Sequence, residues 1–586
     1  IALNDEANNH KQRTKILEKI KLLTSYTSPE WIYSGVSVLR SEYVRYMLTD
    51  NFLFLPPITI LLIIVLSFIF RNWVYVFLPI LTVIVTAVWL LGIMGIMGME
   101  INIMTYIVPT LLFIIGISDA IHIQARFREN FTKYNQNPLE AMFQTMRQMS
   151  RVIFLTSITT AIGFIALMTT SIKIVQEFGL EISIGVMIAW ITSILIVPSG
   201  IIFFNRFDFR TRNSFYPFLS FLSKAIPNNP WAFIIIPILL ASVCIYKIKD
   251  ISTDSSLMED LRPKNKLYND LKLTEKHFGG VLPFEILIKI DQNSHLNKKT
   301  VLDTEILELS KKIEKLLKVE LPESRFFSMN NLFESAKRIR GEQNDVLLKN
   351  DIVEMIIQNQ SNQELKLINN DRTIFRITGL IEDKTSNEMK NIYSKIDSLS
   401  NTFPNYIEVE YTGTTVVALK TNDYLVQSLV NSLGLALILI SIIMAFMFRA
   451  NSILFASLIT NLFPIFTVLG ILAWLGISIR PPTAITFCVA LGIAVDDSLH
   501  FLLRYRKELK HSGNRKDAIK LTIINTGSAL MITTTILVSG FSVLLLSAFL
   551  PTYQFGLLSA GMIGIALLCD LTLLPALCLV LPKPNK

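Results

Sequence analysis

The sequence predicts a polytopic α-helical membrane protein, a duplicated helix bundle carrying an extracytoplasmic α/β domain, and three observations carry that prediction. Of its 586 residues 51% are hydrophobic, with a mean hydropathy of +0.47, too apolar for a soluble chain of this length. Eleven segments are long and apolar enough to cross a hydrocarbon core about 30 Å thick, which takes roughly 20 helical residues. The second half of the chain also repeats the first at a fixed offset.

The apolar segments are 51–70, 73–97, 101–124, 150–171, 178–204, 229–247, 427–448, 452–475, 481–503, 525–549 and 552–581. They fall as five, then one, a polar insert over 248–425, and five more. Short cytoplasmic loops retain Lys and Arg, and the basic residues lie on alternate connections: Arg71; Arg126, Arg128, Lys133 and Arg147; Arg206, Arg210, Arg212 and Lys224; Arg449; and Arg504 to Lys516. The tail Lys583 and Lys586 joins them, while Lys173 and Arg480 are exceptions on the other face. This places residues 1–50 and the insert on the extracytoplasmic side of the cell's inner membrane.

The insert reads as mixed α/β. Phe284 to Ile290, Thr373 to Leu380 and Ile407 to Tyr411 have strand character, whereas 301–318 and 386–400 carry helical spacing, which together suggest a small split βαβ module. Polar helix followed by strand recurs at 12–33, the end of a second copy.

Sliding the chain by 378 residues places Gly35 on Gly413, Arg71 on Arg449, Asp119 on Asp497, His122 on His500 and Arg126 on Arg504. After one residue of slippage Thr156 meets Thr533, Gly163 meets Gly540 and Pro198 meets Pro575. Chance matching of Leu and Ile is common between membrane helices, but matching of Asp, His, Arg, Gly and Pro at one offset is not. The halves share an orientation, so the repeat is parallel, with a pseudo-axis along the membrane normal. Extending the offset upstream leads to the expectation that roughly 150 residues, holding a twelfth span and most of a first domain, precede Ile1.

Composition also excludes several function classes. Lys and Arg total 55 against 46 acidic residues, but they cluster beside apolar runs as topology requires, so nucleic acid is not an expected partner. Cys244, Cys488, Cys569 and Cys578 all lie in apolar segments and offer no disulfide framework. No phosphate-binding loop occurs, so energy comes from a gradient or a partner. The insert has no catalytic motif, and no cofactor site, catalytic residue or metal-ligand spacing is read anywhere in the chain. No signal peptide is visible.

The candidate functional residues lie in two spans. Asp119 sits in IIGISDAIH, and Asp496 with Asp497 in LGIAVDDSLH. A carboxylate near the bilayer centre costs about 2.5–3.5 kcal/mol on insertion scales, so such residues face a protein interior. Three of them recurring across a duplication favour function over helix–helix glue. His122 and His500 follow Asp119 and Asp497 by three residues, on the same helix face. Two readings stand for them: a proton shuttle between carboxylate and cytoplasm, or a hydrogen-bonding group at the inner interface. The next span of each half is rich in hydroxyls, Thr156 with Ser157 and Thr533 with Thr534, which either support the carboxylates or bond back to their own helix. Glycines such as Gly92, Gly95, Gly98, Gly163, Gly470, Gly492 and Gly540 are read as close-packing positions.

The strings GISDAIHIQARFRE and GIAVDDSLHFLLRYRKE, the duplication and the insert resemble the resistance-nodulation-division (RND) superfamily, in its branch of hydrophobe and lipid exporters. The resemblance covers the whole chain. It implies a duplicated RND-type bundle in which residues 1–50 end the first porter domain, 51–204 form the first five-helix bundle, 205–228 a cytoplasmic connection, 229–247 a further helix, 248–425 the second porter domain and 426–581 the second bundle. It also implies a proton relay at Asp119, Asp496 and Asp497. The chain departs from the drug-efflux branch in having no Lys inside 481–503, and its 178-residue insert is short for an added docking subdomain.

The expected function is proton-driven export of lipids or other amphiphiles, with membrane lipids as neighbours. A homo-oligomer is compatible with it, and no periplasmic partner is identified. The competing reading is a sterol-sensing-type lipid-binding receptor without turnover, and an accessory motor for protein translocation is a third.

Overall fold

The computed structural model describes residues 10–26, 31–99, 101–102, 104–204, 215–254, 256–290, 300, 302–340, 351–354 and 367–582. The orientation markers Arg206, Arg210, Arg212, Lys583 and Lys586 lie outside them. Along the chain come α1 (His10–Ser25), α2 (Val36–Phe70), α3 (Trp73–Ile96), α4 (Val108–Ile115), α5 (Ile117–Lys133), α6 (Pro138–Ile165), α7 (Lys173–Phe204), α8 (Tyr216–Asn228) and α9 (Ala232–Ile248). The middle of the chain supplies α10 (Lys266–Phe278), β1 (Leu282–Ile290), α11 (Thr304–Glu320), β2 (Arg325–Phe327), α12 (Met329–Arg340), β3 (Ile374–Ile381), α13 (Ser386–Ser400) and β4 (Ile407–Thr412). The second half adds α14 (Thr414–Phe448), α15 (Asn451–Leu475), α16 (Pro481–Ser512), α17 (Arg515–Val543), α18 (Leu550–Leu571) and α19 (Leu573–Val580).

These elements form two units, one of Ile1–Arg45 with Asp254–Tyr424 and one of Tyr46–Thr253 with Leu425–Lys586. In the first, four antiparallel strands run in the order β2-β3-β1-β4, with α11 leading from β1 to β2 and α13 from β3 to β4. That is the split βαβ arrangement. Phe284, Ile286 and Ile288 point to one face of β1, opposite Gly379, Ile377 and Phe375 of β3, and bury against Ile306, Leu309, Ile313 and Leu317 of α11. The period of two in the strand and of three to four in the helix produces that single apolar layer. Strand β2 and helices α10 and α12 were not anticipated; β2 is three residues long, too short for an alternation to register.

The second unit is the helix bundle, and the repeat holds in backbone detail. Helices α2 and α14 begin and end 378 residues apart, each directly after a glycine of positive φ, Gly35 at 103° and Gly413 at 98°. Arg71 and Arg449, at φ 50° and 49°, turn the chain into α3 and α15 at the same offset. An Asn side chain caps α6 (Asn137) and its counterpart α17 (Asn514), taking up helix N–H groups that have no intrahelical acceptor. Among the described residues, ten helices, or paired helices joined end to end, are long and apolar enough to cross a membrane.

The predicted span 229–247 is the departure. Helix α9 has 17 residues, about 26 Å at helical rise, and meets α8 at a bend of 96°, so an eleventh crossing exists only if that bent pair is one span. The 205–228 connection is correspondingly helical over its second part. The halves also differ where the Asp-bearing helices run. The first is interrupted at Gly116 between α4 and α5, whereas α16 is continuous through Ala494 at the same repeat position. These two helices are the central ones: 72% and 94% of their apolar windows are buried, against 24–61% in the other eight.

Candidate functional site

Helices α5 and α16 bring the predicted carboxylates into the bundle interior. Asp119 is buried on the first turn of α5, where Ser157 of α6 donates to its Oδ2 at 3.3 Å. The second half repeats the pair: Asp497 on α16 is buried, and Thr534 of α17 donates to its Oδ2 at 3.0 Å. A hydrogen bond to a charged group contributes about 1.5–3 kcal/mol, and here no cation of the same span competes for the carboxylate. The four hydroxyls anticipated from sequence therefore divide. Ser157 and Thr534 serve Asp119 and Asp497, Thr533 donates to Ala529 and Leu530 within its own helix, and Thr156, which donates to Ile153, also faces Asp496. Successive residues of a helix point 100° apart, so adjacent hydroxyls meet different partners.

The third carboxylate occupies the seam between the halves. Asp496 shares a cavity of about 20 Å³ with Asp119, Ser118, Thr156 and Ser157, a space that fits one water. Its Oδ1 lies 3.4 Å from Nε2 of His500, one turn on. The expected i to i+3 pairing of Asp497 with His500 is thus replaced by the i to i+4 pairing of Asp496, because Asp497 turns toward α17 within its own half. His122 and His500 stack face to face across the two halves of the repeat, centroids 3.9 Å apart and planes 11° from parallel.

Beyond the histidines a cavity of about 280 Å³ opens, lined by His122, His500, Arg126, Arg504, Glu129 and Lys507 among others. Glu129 pairs with Arg126 of its own half and, at 3.0 Å, with Arg504 of the other, and Arg504 also pairs with Glu508 at 2.7 Å. Carboxylates, one water-sized void, two imidazoles and a polar vestibule thus follow one another along the helix axes. That sequence of groups can bind a proton, pass it on and release it to water.

Two further carboxylates in the bundle escaped the sequence reading. Asp570, near the end of α18, is buried and accepts from Ser498, which also bonds Asn461. Glu181 in α7 is fully buried, and neither of its carboxylate oxygens has a hydrogen-bond partner. Both were readable as acids inside apolar spans. They were passed over because the duplication was the filter, and their repeat positions hold Ser193 and Leu558.

Close packing holds the site together. Thr160 of α6 donates to the Gly492 carbonyl of α16 at 3.0 Å, and a methyl at Gly163 would lie 3.5 Å from the Gly492 Cα. Gly470 presses on Cys244 of α9 and Gly540 on Ile114, as the close-packing reading expects. Gly92 and Gly95 face open space instead, and Gly98 ends its helix with a positive φ of 65°.

The MMPL family pattern matches residues 32–228 and 350–584, one stretch in each half of the repeat. A membrane protein of Methanocaldococcus jannaschii is 25% identical over 364 residues, which are 60% of this chain and 91% of that protein. The membrane protein ActII-3 of Streptomyces coelicolor is 32% identical over 106 residues, 18% of this chain and 15% of its own length. The chain belongs to the MMPL family of the RND superfamily, and is a multi-pass membrane protein of transporter type.

Proposed function

We propose that this MMPL-family chain is a proton-driven exporter of lipids or other amphiphiles, acting in the inner membrane with its α/β unit on the extracytoplasmic side. The observation that supports it best is the duplicated carboxylate–hydroxyl pair, Asp119 with Ser157 and Asp497 with Thr534, flanking Asp496 in the seam of the bundle. Neither 101–124 nor 481–503 contains a Lys or Arg, so the three carboxylates have no intramembrane cation to balance them. They cannot all ionise cheaply in a low-dielectric interior, and a proton shared among them is the economical state.

Gain and loss of that proton is then the switch. With a proton bound, Asp119 and Asp496 share a hydrogen bond across their small cavity and hold α5 against α16. Once it leaves through His122 and His500 to the vestibule, like charges repel across the seam and favour a different packing of the halves. A proton crossing 100 mV releases about 2.3 kcal/mol, which biases a two-state rocking equilibrium roughly fiftyfold. Family membership, which goes with transport of hydrophobic substances, supports amphiphiles as the cargo.

The test is transport by the purified full chain in liposomes with an imposed proton gradient, using fluorescent phospholipid and a set of amphiphiles as cargo. Gradient-dependent transfer that disappears in the Asp119→Asn and Asp497→Asn double variant is expected. Cargo binding without gradient-dependent transfer would instead mark the protein as a lipid-binding receptor.

A further inference from the structure

We infer that His122, Asp496 and His500 form a binding site for a divalent transition-metal ion of the zinc class, and that such an ion staples the two halves of the bundle together. One ligand atom from each of the three lies within 4.8 Å of the others. The Nε2 atom of His122 is buried without a hydrogen-bond partner, and Nε2 of His500 and Oδ1 of Asp496, also buried, have only their mutual 3.4 Å contact. Three buried polar atoms this close together with one long contact among them are poorly compensated in a dry protein interior, because each forfeits its bonds to water. A cation accepting all three lone pairs removes that cost.

The donor set selects the ion. Two imidazoles and one carboxylate are borderline nitrogen and oxygen ligands, suited to zinc and its neighbours rather than to magnesium or calcium, which take oxygen. Zinc sits about 2.0–2.2 Å from each such ligand and in the plane of each imidazole, so binding must unstack the two rings and turn their nitrogens toward one point. The fourth position of a tetrahedral ion opens toward the vestibule beyond the histidines, from which water and the ion can enter. Arg126 and Arg504, the nearest cations of that vestibule, are already engaged by Glu129, which lowers the electrostatic barrier to entry.

His122 belongs to the first half of the repeat, whereas Asp496 and His500 belong to the second. A bound ion therefore fixes α5 to α16, and it occupies atoms through which a proton would pass. Zinc is an inhibitory ligand of the bundle, held by residues that no spacing motif groups together.

The test uses purified, untagged full-length protein in detergent, stripped with chelator and titrated with Co²⁺ as a spectroscopic probe, then with Zn²⁺. One Co²⁺ per chain, with the visible bands of a tetrahedral ion that Zn²⁺ bleaches, is expected. His122→Ala, His500→Ala and Asp496→Asn should each weaken binding on the order of a hundredfold, whereas His277→Ala and His511→Ala, at exposed positions elsewhere, should not. Zn²⁺ should also raise the thermal unfolding temperature of the unaltered protein and leave that of the three site variants unmoved, which separates loss of the site from loss of the fold. Absence of saturable binding, or binding that survives all three substitutions, overturns the inference. Binding is read without a gradient, so this outcome leaves the transport reading to its own experiment.

Discussion

At the residue scale, the site distinguishes groups that looked equivalent along the chain. Asp119→Asn and Asp497→Asn are each expected to abolish gradient-driven export without blocking insertion, since Asn keeps the shape but cannot exchange a proton; liposome transport checks the first and membrane fractionation the second. Alignment of Asp496 with Ser118 suggests a milder effect at that position, but the geometry places Asp496 against both Asp119 and His500. Asp496→Asn is therefore expected to be as damaging as the other two, and near-normal export by this variant would remove Asp496 from the relay. The hydroxyls should divide in the same way. Ser157→Ala and Thr534→Ala each delete a hydrogen bond to a carboxylate, about 1.5–3 kcal/mol, and should slow export by roughly tenfold or more. Thr533→Ala deletes only a bond to its own helix and should leave export within about twofold.

At the element scale, helix contact through glycine sets what each position tolerates. A methyl at Gly163 would sit at ordinary contact distance from Gly492, whereas one at Gly470 would lie 2.6 Å from the backbone of Cys244. Gly163→Ala should therefore be nearly neutral and Gly470→Ala should destabilise by about 1–3 kcal/mol as α9 and α15 are forced apart, read as thermal unfolding in detergent. In the α/β unit, Asp383 receives the amides of Leu257 and Met258 at 3.0 and 2.9 Å, fixing the segment that leads into α10 to the end of β3. Burial holds the Asp383 carboxyl above the usual carboxylate range, against the opposing pull of its Ser256, Met258 and Leu257 donors. An acid whose pKa rises on folding binds its proton more tightly when folded, so its contribution to stability falls as pH climbs from the ordinary carboxylate value through the raised one. Asp383→Asn should flatten that part of the stability profile in a pH series of unfolding measurements.

On the scale of the whole molecule, the bundle is two copies of one design that pack closely where α6 meets α16, with His122 of α5 stacked on His500 of α16 beside that contact. Paired His122→Cys and His500→Cys substitutions should crosslink in the purified protein with a mild oxidant or a short bifunctional thiol reagent, and a reductant should reverse any disulfide so formed. Failure of every such reagent to join the two positions would mean that the halves do not approach there. Single-copy features such as Asp570 and Glu181 show that the halves have diverged chemically while keeping their backbone register. That divergence is what an asymmetric transport cycle requires, since two identical halves would offer the proton two equivalent routes.

The sequence by itself determined the membrane class, the presence of ten spans, the offset of the repeat and three strands of the α/β module, because hydropathy, periodicity and self-similarity are local or additive properties of the chain. It also singled out Asp119, Asp496, Asp497, His122 and His500 as unusual, since an ionisable group in an apolar span stands out without any knowledge of its neighbours. Only the tertiary structure decided which groups meet. The meeting of Ser157 with Asp119 and of Thr156 with Asp496, the pairing of His500 with Asp496 and the meeting of His122 with His500 across 378 residues depend on helix rotation and crossing. A rotation of 100° per residue turns one position of sequence into a different partner, and that angle is set by the packing of several helices at once rather than by any segment alone.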